Sequence, residues 1–409
     1  MAVADIFEAV LGDQSPVAVK AYDGSSTGPI TAAATLHVRS PQALQYLVTA
    51  PNDLGMARAY VSEQLDIEGD LYAALRAIAS QDFAAVSWVE KLRLFRSVGL
   101  SNLRRPPVPA QEAHLSGRRH SKQRDAAAIS HHYDVSNDFY RMVLGPSMAY
   151  TCALYPTEAA SLEEAQAAKF DLVCRKLGLE PGMRLLDVGC GWGGMVLHAV
   201  REYGVTAVGV TLSRKQAEWG AKAVAEAGLT GRAEVRFGDY RDVRERGFDA
   251  VSSIGLTEHI GEAQLGAYFR FLRSRLRDGG RLLNHCITRF DGQQSARAGG
   301  FIDHYIFPDG ELEGPGRIID EMNNGGFEIQ HEENLRRHYA MTLRDWSANL
   351  DERWGDAVAE VGEAKARIWR LYLAASRVGF DLNRIQLHQV LGTVTTRFGD
   401  SGYPLRHTF

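Results

Sequence analysis

The chain has 409 residues, 45% apolar and 23% charged, with 46 basic against 50 acidic side chains and a net charge of −4. That is the composition of a folded chain of two or three domains, and it excludes a disordered, collagenous or coiled-coil class. Nothing global attracts nucleic acid, so no nucleic-acid partner is expected. The four cysteines, Cys152, Cys174, Cys190 and Cys286, form no Cys-x-x-Cys pair. Neither a disulfide framework nor a metal site is suggested, and a reducing cytoplasm fits best.

In chain order, Met1 to Val10 is short, mixed and acidic, unlike an export signal. Residues 1–90 mix short helical patterns with a turn-rich stretch around Asp23-Gly24-Ser25 and the alternating Ala34-Thr35-Leu36-His37-Val38. They predict a small α+β domain, for which a lipid-binding or dimerising role is an expectation that the pattern itself does not carry. A linker at 91–130 follows. Between Lys91 and Arg124 nine Lys or Arg face one acid, Glu112, and Pro106, Pro107 and Pro109 interrupt any helix. From 131 to 409 the rhythm alternates helix and strand. Ser161-Leu162-Glu163-Glu164 is a capping-box start. Five short apolar runs, Arg184–Val188, Thr206–Val210, Ala233–Phe237, Phe248–Ser253 and Arg281–Asn284, read as strands of a buried parallel sheet. The fold class is therefore α/β, a doubly wound Rossmann-like sheet, with a helical cap at about 299–378 over the sheet's carboxyl edge.

Leu185-Leu186-Asp187-Val188-Gly189-Cys190-Gly191-Trp192-Gly193-Gly194 is a strand running through a glycine turn into a helix. Its letters fit both the dinucleotide G-x-G-x-x-G and the acidic-x-G-x-G-x-G turn of S-adenosylmethionine-dependent methyltransferases. A nicotinamide protein places an acid at the end of the second strand to hold the ribose diol. Here that strand ends Val210-Thr211-Leu212-Ser213, and the third ends Gly238-Asp239-Tyr240, suited to an adenine edge and face. Asp187 can face the cofactor's ammonium.

From His131 onward the chain resembles the cyclopropane fatty acid synthases and mycolic acid methyltransferases, which alkylate olefins of lipid chains with S-adenosylmethionine. The carriers are His132-Tyr133-Asp134-Val135-Ser136-Asn137, Gly145 to Ala153, the glycine turn, Gly209 to Ser213, Glu258-His259 and Arg336-Arg337-His338-Tyr339. The amino-terminal extension resembles the long, phospholipid-acting synthases. The resemblance implies a class I methyltransferase domain with cofactor contacts at Tyr150, Thr151, Gly189, Gly191, Gly193, Thr211, Leu212, Gln216, Tyr240 and Arg241, beside Asp187 and Asp239. It also implies a bicarbonate ion held by Cys152, Glu258, His285, Tyr339 and the backbone of Ile287. Related long synthases further suggest a homodimer through the amino-terminal domain.

The chemistry explains such an anion. An alkene that attacks a sulfonium methyl becomes a carbocation, and a base must then remove a proton. Aromatic faces steady positive charge, and Tyr155, Phe301, Tyr305 and Tyr372 are candidates for that wall. His259, His131, Trp192 and Trp346 read as structural. Two positions depart from the family pattern, Thr257 before the Glu-His pair and Asn284 before His285, and an added polar group there would move the base. The cation can end as a cyclopropane ring, an exocyclic methylene or a methyl-branched alcohol, and the resemblance favours the ring. The alkene of an unsaturated phospholipid lies deep in a bilayer. The basic linker is therefore expected to dock peripherally on anionic lipid at the inner membrane face. An NAD-linked oxidoreductase and a non-catalytic lipid binder are the rival readings.

Overall fold

The computed structural model describes residues 2–12, 15–80, 105–113, 124, 135–291 and 299–409. Most of the basic linker, with His131 to Asp134, lies outside the described residues. The chain divides into two compact units, one of residues 1–114, 299–308 and 350–379, the other of 115–298, 309–349 and 380–409. The stretch expected as a single cap is thus shared between them.

In the first unit, strands β1 (Val17–Ala21), β2 (Ser26–Thr27), β3 (Ala34–Val38) and β4 (Leu65–Gly69) form a mixed sheet in the order β2-β1-β3-β4, with β1 and β3 parallel. The alternation in Ala34 to Val38 buries Ala34, Leu36 and Val38. Ser40, Asn52 and Asp70 cap the helices Pro41–Thr49, Asp53–Val61 and Leu71–Ala79 through their side-chain oxygens. Glu112, buried, accepts from Arg58 Nε at 2.6 Å and from the Tyr305 hydroxyl at 2.9 Å. The hydroxyl of Tyr305, proposed above for an aromatic wall, is therefore engaged by a carboxylate.

The second unit is built on seven strands: β5 (Arg184–Val188), β6 (Thr206–Thr211), β7 (Ala233–Phe237), β8 (Phe248–Ile254), β9 (Leu276–Arg289), β10 (Glu328–Asn334) and β11 (Ile385–Thr393). Their order is β10-β11-β9-β8-β5-β6-β7, with β5 to β10 running in one direction and β11 antiparallel to both its neighbours, β9 and β10. The five expected strands are present. Two more extend the sheet: β10 is an edge strand rich in Glu and His that shows no apolar run, and its half-exposed pattern explains why periodicity passes over it. The chain leaves β5 for β6 on one side and reaches β8 on the other, so the switch point of the sheet lies at the end of β5.

Successive side chains on each strand face opposite layers. Leu185, Ala250, Leu283 and Leu391 pack on one face with Phe170, Val173, Cys174 and Leu177 of the helix Leu162–Leu177. Leu186, Val251, Leu282, Cys286 and Val390 pack on the other with Tyr268, Phe269 and Leu272. The capping box of Ser161 and Glu164 starts the first of these helices, and Gly178, left-handed at φ 62°, ends it.

Candidate functional site

At the end of β5, Gly189, Gly191 and Gly193 take φ of 74°, 55° and 86°, a region that glycine enters freely. The turn they make opens the helix Gly194–Tyr203 and walls a cleft with Val210, Thr211, Leu212, Gln216, Gly238, Tyr240, Gly255, Leu256 and His259. Thr211 Oγ1 donates to Gln216 Oε1 at 2.7 Å and receives Ser213 N–H at 3.2 Å, so the end of β6 presents a fixed hydroxyl and amide with no acid. Asp239 is held by Arg241, whose backbone N–H and Nε both lie 2.8 Å from Oδ1. Tyr240 packs edge-on to Tyr268 and Phe271. Tyr150 lies between the rings of Tyr140 and Trp346. His259, expected to be structural, lines the cleft instead, because the short helix Thr257–His259 turns at the carboxyl end of β8.

Beneath the turn, a row of polar side chains crosses one face of the sheet. Asp187 on β5 stands in register with Ser252 on β8, whose hydroxyl donates to Oδ1 at 2.6 Å. His285 on β9 stands in register with Gln389 on β11, whose Nε2 lies 3.1 Å from His285 Nδ1. All four are buried. Two lysines of the helix Leu162–Leu177, both fully buried, reach toward this row. Lys169 Nζ donates to Thr151 Oγ1 at 2.9 Å, and Lys176 Nζ donates to Gln389 Oε1 at 2.8 Å and to Glu333. Burial pulls Lys169 down to about 7 and pushes Asp187 up to about 7, each opposed by the attraction between them.

The residues expected to hold an anion are linked through a relay of backbone contacts. Glu258 Oε1 accepts Ile287 N–H at 2.7 Å. Ile287 is two residues from His285 and therefore shares its face of β9. Leu387 is in register with Ile287, its carbonyl receives Leu335 N–H, and the Leu335 carbonyl lies 3.8 Å from the Cys152 thiol and accepts from Tyr339 N. Tyr339 stacks at 4.5 Å on Phe380. Burial pushes Glu258 up to about 7, raises Cys152 so that it stays a thiol, and holds His285 neutral. Among the described residues, two buried polar atoms here have no hydrogen-bond partner: Glu258 Oε2 and His285 Nε2. Tyr155, by contrast, is engaged, its hydroxyl donating to Asp345 at 2.7 Å.

The two departures from the family pattern meet each other. Thr257 Oγ1 donates to Asn284 Oδ1 at 2.6 Å, and Asn284 Nδ2 lies 3.3 Å from Cys286 Sγ. Asn284 and Cys286 point to the face of β9 opposite His285. The added polarity is thus self-satisfied rather than directed at the orphaned atoms.

A switch-point cleft at a glycine turn, on a sheet with this strand order, defines the class I S-adenosylmethionine-dependent methyltransferase fold. Residues 120–390 match the family described as mycolic acid cyclopropane synthetase, and the chain belongs to that family. A probable fatty acid methyltransferase of Mycobacterium tuberculosis is 54% identical over 99% of this chain and 96% of its own length. Another, of Pseudomonas putida, is 40% identical over 92% and 91%. The cyclopropane synthase MmaA2 of Mycobacterium tuberculosis superposes with a TM-score of 0.62 at 34% identity, covering 67% of this chain and 99% of that one. The mycolic acid cyclopropane synthase CmaA1, crystallised with SAH and CTAB, gives 0.62 at 34%, covering 65% and 97%. The full-length relatives span both units, whereas these two structures span about two thirds of the chain.

Proposed function

We propose that the protein transfers a methyl-derived carbon from S-adenosylmethionine to the double bond of an unsaturated acyl chain of a phospholipid and closes a cyclopropane ring. The observation that carries this reading is the glycine-walled cleft at the end of β5 together with the orphaned Glu258 Oε2 and His285 Nε2. The first suits a cofactor, and the second suits a small oxyanion such as bicarbonate. When bound, the cofactor supplies an electrophilic methyl group and the oxyanion an acceptor for the proton that is lost.

This chain's residues have the remaining work. Gly189 and Gly191 let backbone approach the cofactor without a Cβ. Thr211 and Gln216 take its ribose hydroxyls, Tyr240 with Leu212 its adenine, and Asp187 its ammonium. Arg241 fixes Asp239 at the adenine edge. Glu258, held by Ile287 N–H and neutral over much of the range below pH 7, turns Oε2 toward the anion as a donor. His285, Cys152 and Tyr339 offer further donors from three different elements. Burial strengthens each of these interactions by excluding water. The relative CmaA1, crystallised with both SAH and CTAB, supports the pairing of a cofactor site with a lipid-chain site.

Incubation with unsaturated phospholipid and methyl-labelled S-adenosylmethionine, followed by mass spectrometry of the fatty acids, tests the reading. A labelled gain of one CH2 is expected, with ring protons in the NMR spectrum. Olefinic protons of an exocyclic methylene would replace ring closure by the branching outcome, and no gain would sink the proposal.

A further inference from the structure

Lys176 and Gln389 are in none of the expected sites, yet they end in a contact with His285. A lysine ammonium has only donors, so the atom of Gln389 that lies 2.8 Å from Lys176 Nζ is the carbonyl oxygen. The amide nitrogen therefore faces His285 Nδ1, 3.1 Å away, and an NH2 group can only donate to it. Nδ1 must then carry a lone pair. In a neutral imidazole the single proton sits on the other nitrogen. That nitrogen, Nε2, is the buried atom without a partner. Lys176 is itself fixed by Glu333, and helix Leu162–Leu177 and strands β10, β11 and β9 each contribute one member to the chain of contacts.

We propose that Gln389, oriented by Lys176, is a positioning residue that locks His285 as the Nε2–H tautomer, so that His285 donates a hydrogen bond to an oxyanion. The identity of the anion rests on the function proposed above, whereas the tautomer rests on hydrogen bonding alone. Gln389→Glu reverses the logic with almost no change of shape. A carboxylate satisfies Lys176 with one oxygen and accepts from His285 Nδ1–H with the other, which leaves a lone pair on Nε2 facing the anion.

The test uses the full chain labelled with 15N-histidine. Long-range proton–nitrogen correlation shows which ring nitrogen is protonated, and the His285 signal is assigned by its loss in His285→Phe. The wild-type protein is expected to show Nε2–H and Gln389→Glu Nδ1–H. Nitrate, a planar oxyanion without a titrating proton, serves as the anion probe. Its affinity is expected to fall about tenfold or more in Gln389→Glu, the scale of a lost hydrogen bond to a charged group, with S-adenosylmethionine affinity unchanged. Lys176→Met, which frees the amide to rotate, is expected to give a mixture of tautomers and stands in should Gln389→Glu not fold. Nδ1–H in the wild-type protein, an unchanged tautomer in both variants, or a switched tautomer with undiminished nitrate binding would each overturn the proposal. Absence of lipid alkylation by the wild-type protein, with the tautomer switching as described, would fall on the proposed function instead.

Discussion

At the residue scale, the acidic first position of the glycine motif does more than mark a turn. Asp187 is buried, and only the Ser252 hydroxyl and the Lys169 ammonium favour its charged form. Its ionisation near pH 7 lies well above the ordinary carboxylate value. Between about pH 4 and 7 the folded chain holds a proton that the unfolded chain has lost, so this group weakens folding progressively as pH rises. The cofactor ammonium proposed to sit beside it would reverse the balance and pull the ionisation down. Binding of S-adenosylmethionine at pH 6 should therefore release a large fraction of one proton, and at pH 8.5, where Asp187 is already ionised, almost none. Calorimetry in buffers of different ionisation heat measures this, and Asp187→Asn should abolish the release at pH 6. Release that persists in Asp187→Asn would transfer the role to Lys169, which also titrates near 7.

The two buried lysines also show what single residues hide. Leu162, Gln166, Lys169, Val173 and Lys176 follow one another at helical intervals on a buried stripe. A lysine at such a position has left water and must meet a partner. That spacing is present in the sequence, but apolar periodicity passes over a stripe whose members include Gln166, Lys169 and Lys176. Gln389 gave no signal, because nothing in Ile385–Thr393 announces which strand it pairs with; register with β9 is a tertiary fact.

At the element scale, the strand-turn-helix unit from Arg184 to Tyr203 was legible almost to the residue, since a short apolar run, glycines and a helical pattern agree. The glycines differ in their reasons. A Cβ on Gly191 would meet nothing within 4 Å and would enter the cleft, whereas a Cβ on Gly193 would come 2.9 Å from Val235 Cγ2. Gly191→Ala should cost about 1 kcal/mol of stability for the left-handed backbone, yet lower S-adenosylmethionine affinity at least about tenfold. Gly193→Ala should cost about 2–3 kcal/mol through strain and overpacking. Thermal melts with and without the cofactor separate the two; an affinity loss confined to Gly193→Ala would remove Gly191 from the proposed cofactor wall. The resemblance also raised a doubt at Thr257 and Asn284 that only the strand's alternation resolves, by turning Asn284 away from His285.

At the scale of the whole molecule, the amino-terminal α+β unit was legible in composition, but its boundary was not. Residues 299–308 and 350–379 return to it from far along the chain, and no local pattern carries such a return. Among the described residues no helix is long and apolar enough to cross a membrane. Access to a bilayer is proposed through the Lys91–Arg124 stretch, of which only Arg105 and Arg124 among the basic residues are described. Arg124 is paired with Asp309, which leaves eight of the nine basic side chains of the stretch as candidates for headgroup contacts, at about 1 kcal/mol each near the surface. Flotation with liposomes should show binding that needs anionic lipid and weakens with salt; binding indifferent to both would discard this route.

Transfer and deprotonation meet in a single assay. With S-adenosylmethionine carrying a CD3 group and an unsaturated phospholipid, a base beside the cation removes one deuteron, and the new ring carbon should retain two. A product that keeps all three deuterons, as a methyl branch captured by water would, contradicts the presence of a base at Glu258 and His285.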